Sequence, residues 1–152
     1  MNALLHADLE ALVGVLRLDP TLETRFRAFY ESLCAADAVP ARILDLCRYR
    51  IAAIHGLSDV LLRTEQTRSL DPSTLAALRS GNVDTLDEQA RIALALAEKI
   101  PYGHHDVGDQ EVADARLAFG ERGAVALLTA LAFADVFCRL QIVLQVSSSD
   151  AV

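Results

Sequence analysis

The sequence predicts an all-α protein, and three observations carry that prediction. Apolar residues recur at three- and four-residue intervals along most of the chain, the spacing of one helix face. The AVILMFWYC class supplies 53% of the 152 residues but aromatics only 5%, so the core is built mainly from Ala, Leu, Val and Ile. Ala and Leu lose little on entering a helix. Gly (7) and Pro (4) are scarce, which argues against a turn-rich β-sandwich and against a disordered chain. No βαβ alternation is visible, and the one strand-like run, Leu140 to Val146, has no partner. The length suits a single domain, read as residues 1–146 with a frayed tail at 147–152.

The punctuation predicts about seven helices. Leu4, Leu5, Leu9, Leu12, Val13 and Leu16 place the first over residues 3–17. Asp19-Pro20 reads as an N-cap followed by Pro in the first turn. That helix should reach about Ala36, with Leu22, Phe26, Phe29, Tyr30 and Leu33 on one face. Val39-Pro40 opens a third helix, which Gly56 is expected to break, with Ser58 or Asp59 capping a continuation to about Ser69. Asp71-Pro72 repeats the cap-plus-proline signal for a short helix ending at Ser80-Gly81. Thr85 and Glu88 have capping-box spacing and open a further helix. The run Pro101 to Asp106 reads as a loop. Gly108-Asp109 starts a helix to about Phe119, Gly120 to Gly123 is a turn or a helix start, and a long helix follows from Ala124 to about Val146.

Charge and cysteine usage narrow the function classes. The formal charge is −7, and the basic residues, thirteen Arg and one Lys, are spread along the chain. A phosphate backbone or an anionic membrane needs a concentrated basic patch, so neither nucleic acid nor a membrane surface is expected as a partner. Three widely spaced cysteines, Cys34, Cys47 and Cys138, read as buried apolar residues in a reducing compartment. With no basic n-region at the N-terminus, the expected location is the cytoplasm. The most apolar stretch, Ala124 to Ala134, is short for a membrane span and has no polar face beyond Thr129. Such a helix needs cover on all sides, which predicts a homo-oligomer.

Motif-based chemistry is sparse. No Gly-rich phosphate loop, G-x-S-x-G or H-E-x-x-H occurs. His104-His105-Asp106 lacks further ligands at metal-binding spacing, and neither a metal nor a cofactor is expected. Asp135 and Arg139 are spaced i,i+4 in the most apolar region, which reads either as a structural pair or as a site. Asp45, Arg48 and Arg50 pose the same choice, because Arg matches a carboxylate bidentately.

Three segments resemble a known family. Leu46-Cys47-Arg48-Tyr49-Arg50-Ile51-Ala52-Ala53-Ile54-His55-Gly56 is similar to the central helix of the alkylhydroperoxidase D-like, or carboxymuconolactone decarboxylase, family. Thr85 to Ile100 resembles its acidic-start, alanine-rich helix, and Leu131 to Leu140 its apolar last helix, with Cys138 in place of the usual Asn beside Arg139. The resemblance spans about residues 20–146 and implies that family's helical fold. The peroxidase branch carries Glu, eleven residues, C-x-x-C, three residues, then His. Those positions fall on Asp45, Leu57, Val60 and Thr64. Leu and Val offer neither nucleophile nor redox couple.

The resemblance therefore implies a family member without the redox centre, working as a small-ligand-binding or interaction protein. The decarboxylase branch gives an alternative, a decarboxylase or lyase acting on a small carboxylic acid, with Asp45 and His55 as candidate catalytic groups. A peroxidase with its redox role moved to Cys47 is a second alternative. On any of these readings the pocket lies where residues 45–64 meet the last helix. Its lining would be Arg48, Arg50, Leu57, Val60, Thr64, Asp135, Cys138 and Arg139, and its ligand a small hydrophobic molecule or a carboxylate.

Overall fold

The computed structural model describes residues 12–35, 37–57 and 70–146. Among them all regular structure is helical, as α1 (Pro20–Ala35), α2 (Ala41–Ile54), α3 (Pro72–Ser80), α4 (Glu88–Gly103) and α5 (Asp109–Val143), with 3₁₀ turns at Val83–Thr85 and His104–Asp106. Residues 12–16 are also helical, making six helices in place of about seven. The expected helix after Ser58 lies outside the described residues, as do Val60, Thr64, residues 3–11 and the tail 147–152.

Local hydrogen bonding explains most boundaries. The Asp19 carboxylate accepts from the Thr21 and Leu22 amides at 3.1 and 3.0 Å and starts α1. Asp71 accepts from the Thr74 amide at 2.9 Å and starts α3. Gly56, with φ of 74°, ends α2 in the left-handed region that a side chain disfavours. The start of α4 differs from expectation: the cap is Asp87, which accepts from the Ala90 amide at 2.9 Å, while Thr85 lies in the preceding 3₁₀ turn. An aspartate is a strong cap, and Asp87 also pairs with Arg42 of α2, a contact Thr85 does not make.

Pro101 to Asp106 is not an open loop. Helix α4 continues through Pro101 to Gly103, and a 3₁₀ turn follows. A proline this close to a helix end removes one amide bond, and the Pro101 carbonyl is taken up by Arg139 Nη2 at 2.5 Å. The face of α1 expected to be apolar turns inward in part: Tyr30 is buried and Phe26 packs beside it, whereas Leu22 and Phe29 stay 48% and 44% exposed.

Helix α5 is bent back on itself. Gly120 has φ 73° and ψ 170°, a conformation reserved for glycine, and it divides α5 into an arm before it and an arm after it. The first arm runs antiparallel to α4, because Gln89 Nε2 donates to the Ala118 carbonyl at 2.8 Å and Lys99 pairs with Glu111 at 2.6 Å. The second arm returns alongside α2 and α4. Arg122 meets Asp37 at 3.1 Å near the start of α2, and His55 meets Asp135 at 2.7 Å near its end. Helices α2 and α4 are themselves parallel, tied by Arg42–Asp87 and Arg50–Glu98. Three parallel helical segments thus bring their C-terminal ends to one end of the molecule.

The main core lies between α2, α4 and α5, where Ile43, Leu46, Ile51, Leu96 and Leu127 are fully buried. A smaller cluster joins α1 to α5. The Phe26, Phe29 and Tyr30 rings lie 5.4, 5.1 and 6.0 Å from that of Phe133, and Phe26 and Tyr30 also meet Phe137. By length and composition alone, α5 is the one helix among the described residues that is long and apolar enough to cross a membrane. Of its most apolar window, 28% is buried within the chain.

Candidate functional site

His55 caps the C-terminal end of α2, immediately before the left-handed Gly56. Its side chain is 4% exposed and points to the second arm of α5. There Nε2 lies 2.7 Å from Asp135 Oδ1, across eighty positions of sequence. An ionised carboxylate only accepts, so Nε2 carries the hydrogen. The Tyr102 hydroxyl stands 3.4 Å from Nδ1.

Asp135 is shared. Arg139, one turn further along α5, approaches its two carboxylate oxygens through Nε at 3.1 and 3.0 Å. These hydrogen bonds, and then the carboxylate charge, hold the Arg139 guanidinium above even its usual high pKa. Arg139 Nη2 reaches the Pro101 carbonyl, and the guanidinium carbon lies 5.4 Å from the Tyr102 ring centre. Three helices therefore contribute one polar cluster: His55 from α2, Tyr102 and the Pro101 carbonyl from α4, Asp135 and Arg139 from α5. Its inner members are nearly enclosed, while Tyr102 is 65% exposed and forms the outer edge.

Of the residues expected at a site from sequence, the structure brings together His55, Asp135 and Arg139. Asp45 does not join them. It lies ten residues back along α2, about 15 Å at the helical rise, and pairs with Arg48 Nη1 at 3.4 Å. Arg50 reaches Glu98 of α4 at 2.8 Å, a bond between helices. Cys138 is 7% exposed in the main core, and Leu57 packs against that core. Cys47 is fully buried, and desolvation raises its thiol far above the ordinary range despite the nearby Arg48 charge. A thiol held protonated in the core is not a nucleophile.

A cavity of about 460 Å³ lies elsewhere, lined by Ser73, Ala77, Ser80, Asn82, Thr85 and Leu86 among others. Among the described residues no group of three or more His, Cys, Asp or Glu side chains is disposed to hold a metal ion. The site residue missed from sequence is Tyr102, which sits in a stretch read as loop. The signal available for it is its place directly after Pro101, where a helix end needs outside partners for its carbonyls.

Compared with protein-family models, with curated proteins and with solved structures, the chain matches none.

Proposed function

We propose that the chain is an alkylhydroperoxidase D-like helical protein without a thiol redox centre, and that it binds a small, largely apolar ligand at the His55–Asp135–Arg139–Tyr102 cluster. The resemblance of residues 46–56, 85–100 and 131–140 supports the family reading, and the burial of Cys47 supports the loss of redox chemistry.

The observation that carries the choice of ligand is the commitment of Arg139. Its guanidinium already serves Asp135 and the Pro101 carbonyl. The C-terminal ends of α2 and α4 also converge here, and helix C-termini disfavour an added anion. A carboxylate therefore meets a spent cation and two negative helix ends. A neutral ligand with one hydrogen-bonding head finds the Tyr102 hydroxyl at the exposed edge. Calorimetric titration with benzyl alcohol and with benzoate separates the two classes. The expected result is saturable heat for the alcohol alone, lost in Tyr102→Ala. Tighter binding of benzoate, or no binding of either, would overturn the assignment.

A second reading is favoured by one feature, the orientation of His55. A carboxylate that fixes an imidazole tautomer and leaves the other nitrogen toward a hydroxyl is the arrangement of a general acid–base. On this reading the protein is a decarboxylase or lyase acting on a small carboxylic acid, with His55 moving the proton and Asp135, not Asp45, orienting it. Release of carbon dioxide from a panel of β-keto and unsaturated acids, abolished in His55→Gln, would select this reading over simple binding.

A further inference from the structure

Between α3 and the 3₁₀ turn that follows it lies the cavity of about 460 Å³. That volume falls within the span of about 300–1,000 Å³ typical of small-molecule sites. Ser73, Ala77 and Ser80 recur at helical spacing and bring one face of α3 to it. Asn82, Thr85 and Leu86, from the turn and its two ends, line it opposite. Ala77 and Leu86 are buried at 8% and 9% exposure and give it an apolar floor. Among the described residues no lining side chain is charged.

The hydroxyl hydrogens decide what this cavity can hold. A hydroxyl has one hydrogen to donate and two lone pairs with which to accept. An ionised carboxylate only accepts, so Ser73 donates its hydrogen to Asp71 Oδ1, and Thr74 donates to Asp71 Oδ2 at 2.6 Å. Ser80 donates to the Ala77 carbonyl at 3.2 Å, and Thr85 to the Asn82 carbonyl at 3.4 Å. All four hydroxyl hydrogens are thus committed within the chain. Ser80 also accepts from the Asn82 amide at 3.4 Å, which leaves it one lone pair. What the hydroxyls still offer a ligand is oxygen lone pairs, and the Asn82 side-chain oxygen is a further acceptor.

We infer that this cavity is a second binding site, and that its ligand is a small organic ammonium ion, its N–H groups meeting these oxygens and its alkyl part lying on Ala77 and Leu86. An ammonium group complements a wall of acceptors, because it carries three donors and no acceptor. Charge agrees. The Asp71 carboxylate stands one hydrogen bond behind Ser73 and Thr74, and their hydroxyls, Ser73 first, hold its carboxyl well below the usual carboxylate range. It is therefore ionised at neutral pH, and hydroxyls that donate to an anion become stronger acceptors. The C-terminal end of α3, at Ser80, adds the partial negative charge of a helix end. An anion would need free donors, but the Thr74 amide already donates to Asp71 at 2.9 Å. Arg91 approaches the same turn, where its Nη1 meets the Asp84 and Leu86 carbonyls, and it does not line the cavity. A neutral alcohol brings one donor to several acceptors. The site shares no residue with the His55 cluster and stands whether or not that cluster binds a ligand.

Amide NMR of the isotopically labelled full chain at neutral pH, titrated in turn with hexylammonium, hexanol and hexanoate, tests the assignment. Hexylammonium should shift the Ser80, Asn82 and Thr85 amides saturably. It should bind there about tenfold more tightly than hexanol, roughly the effect of one hydrogen bond to a charged group. Hexanoate should leave those amides unmoved. Ser80→Ala and Thr85→Val should each weaken hexylammonium binding roughly three- to tenfold with the helical circular dichroism unchanged, since both positions are exposed. No saturable shift by hexylammonium, no advantage over hexanol, shifts of these amides by hexanoate, or an affinity unchanged in both variants would each overturn the proposal. Shifts confined to the surroundings of His55 and Tyr102 would overturn it in favour of the polar cluster.

Discussion

Removing the Asp135 carboxylate tests the polar cluster most directly. In Asp135→Ala the His55 Nε2–H loses its 2.7 Å acceptor while its side chain, 4% exposed, has almost no access to water. A hydrogen bond to a charged group contributes about 1.5–3 kcal/mol, and a buried donor left without a partner costs a similar amount. The Arg139 contact adds little, because that side chain is 46% exposed and water replaces its partner. The expected loss is therefore about 2 kcal/mol. For a domain of this length that corresponds to roughly 4–8 °C in Tm. The assay is urea unfolding followed by circular dichroism on the wild type, His55→Ala, Asp135→Ala and the double variant. If the two groups stabilise each other across α2 and α5, the double variant should lose about 1–2 kcal/mol less than the two single losses together. Strictly additive losses would show that the 2.7 Å contact contributes nothing, and the cluster would then be an accident of packing rather than a joint between helices.

Three further outcomes follow from named features. Gly120→Ala should destabilise by about 1–3 kcal/mol in the same unfolding assay; no atom lies within 4 Å of the added Cβ, so the cost is backbone strain at φ 73° alone. Stability should fall as pH drops below about 4, the ordinary carboxylate value, because Asp71 and Asp87 are held below it in the fold, Asp71 first by the Ser73 and Thr74 hydroxyls and Asp87 first by the Ala90 amide. In that window the unfolded chain binds more protons, so stability rises with pH, and Asp71→Asn with Asp87→Asn should flatten the acid limb of Tm against pH. Peroxide consumption with a dithiol donor should match the enzyme-free blank, and Cys47 should react with a thiol reagent only as fast as the protein opens; turnover abolished by Cys47→Ser would refute the buried-thiol account.

Much of the fold was legible because its signals are local. Asp19, Asp71 and Gly56 act within one helical turn, and a cap or a stop can be read from a few adjacent residues. Thr85 misled for the same reason: two good caps, Thr85 and Asp87, stand two residues apart, and the choice between them is influenced by Arg42, forty-five positions away. The site was legible only in pieces. Asp135 and Arg139 announce themselves as charges in an apolar helix, and His55 as the one imidazole on its helix. Which carboxylate His55 would meet depended on the reversal at Gly120, which turns α5 back parallel to α2. The family resemblance pointed to Asp45, on the same helix, but ten residues of helical rise separate it from His55. Tyr102 was missed because Pro101 reads as a stop, and its tolerance depends on an arginine from another helix.

The aromatic cluster that joins α1 to α5 has a consequence for how the molecule opens. Four of the five phenylalanines of the chain are Phe26, Phe29, Phe133 and Phe137, and all four lie in that cluster, apart from the aliphatic core. Among the described residues α1 is thus fastened by ring contacts to α5 and by Tyr30 and Phe26 in a small cluster with Val13, whereas α2, α4 and α5 share one continuous core. Such a segment forms its own cooperative unit, with an opening free energy below that of the whole domain. Amide hydrogens of residues 20–35 would exchange ahead of those in α2 and α4. The first excursion from the native state would then be the lifting of α1, which bares Phe133 and Phe137 while the His55–Asp135 joint remains closed.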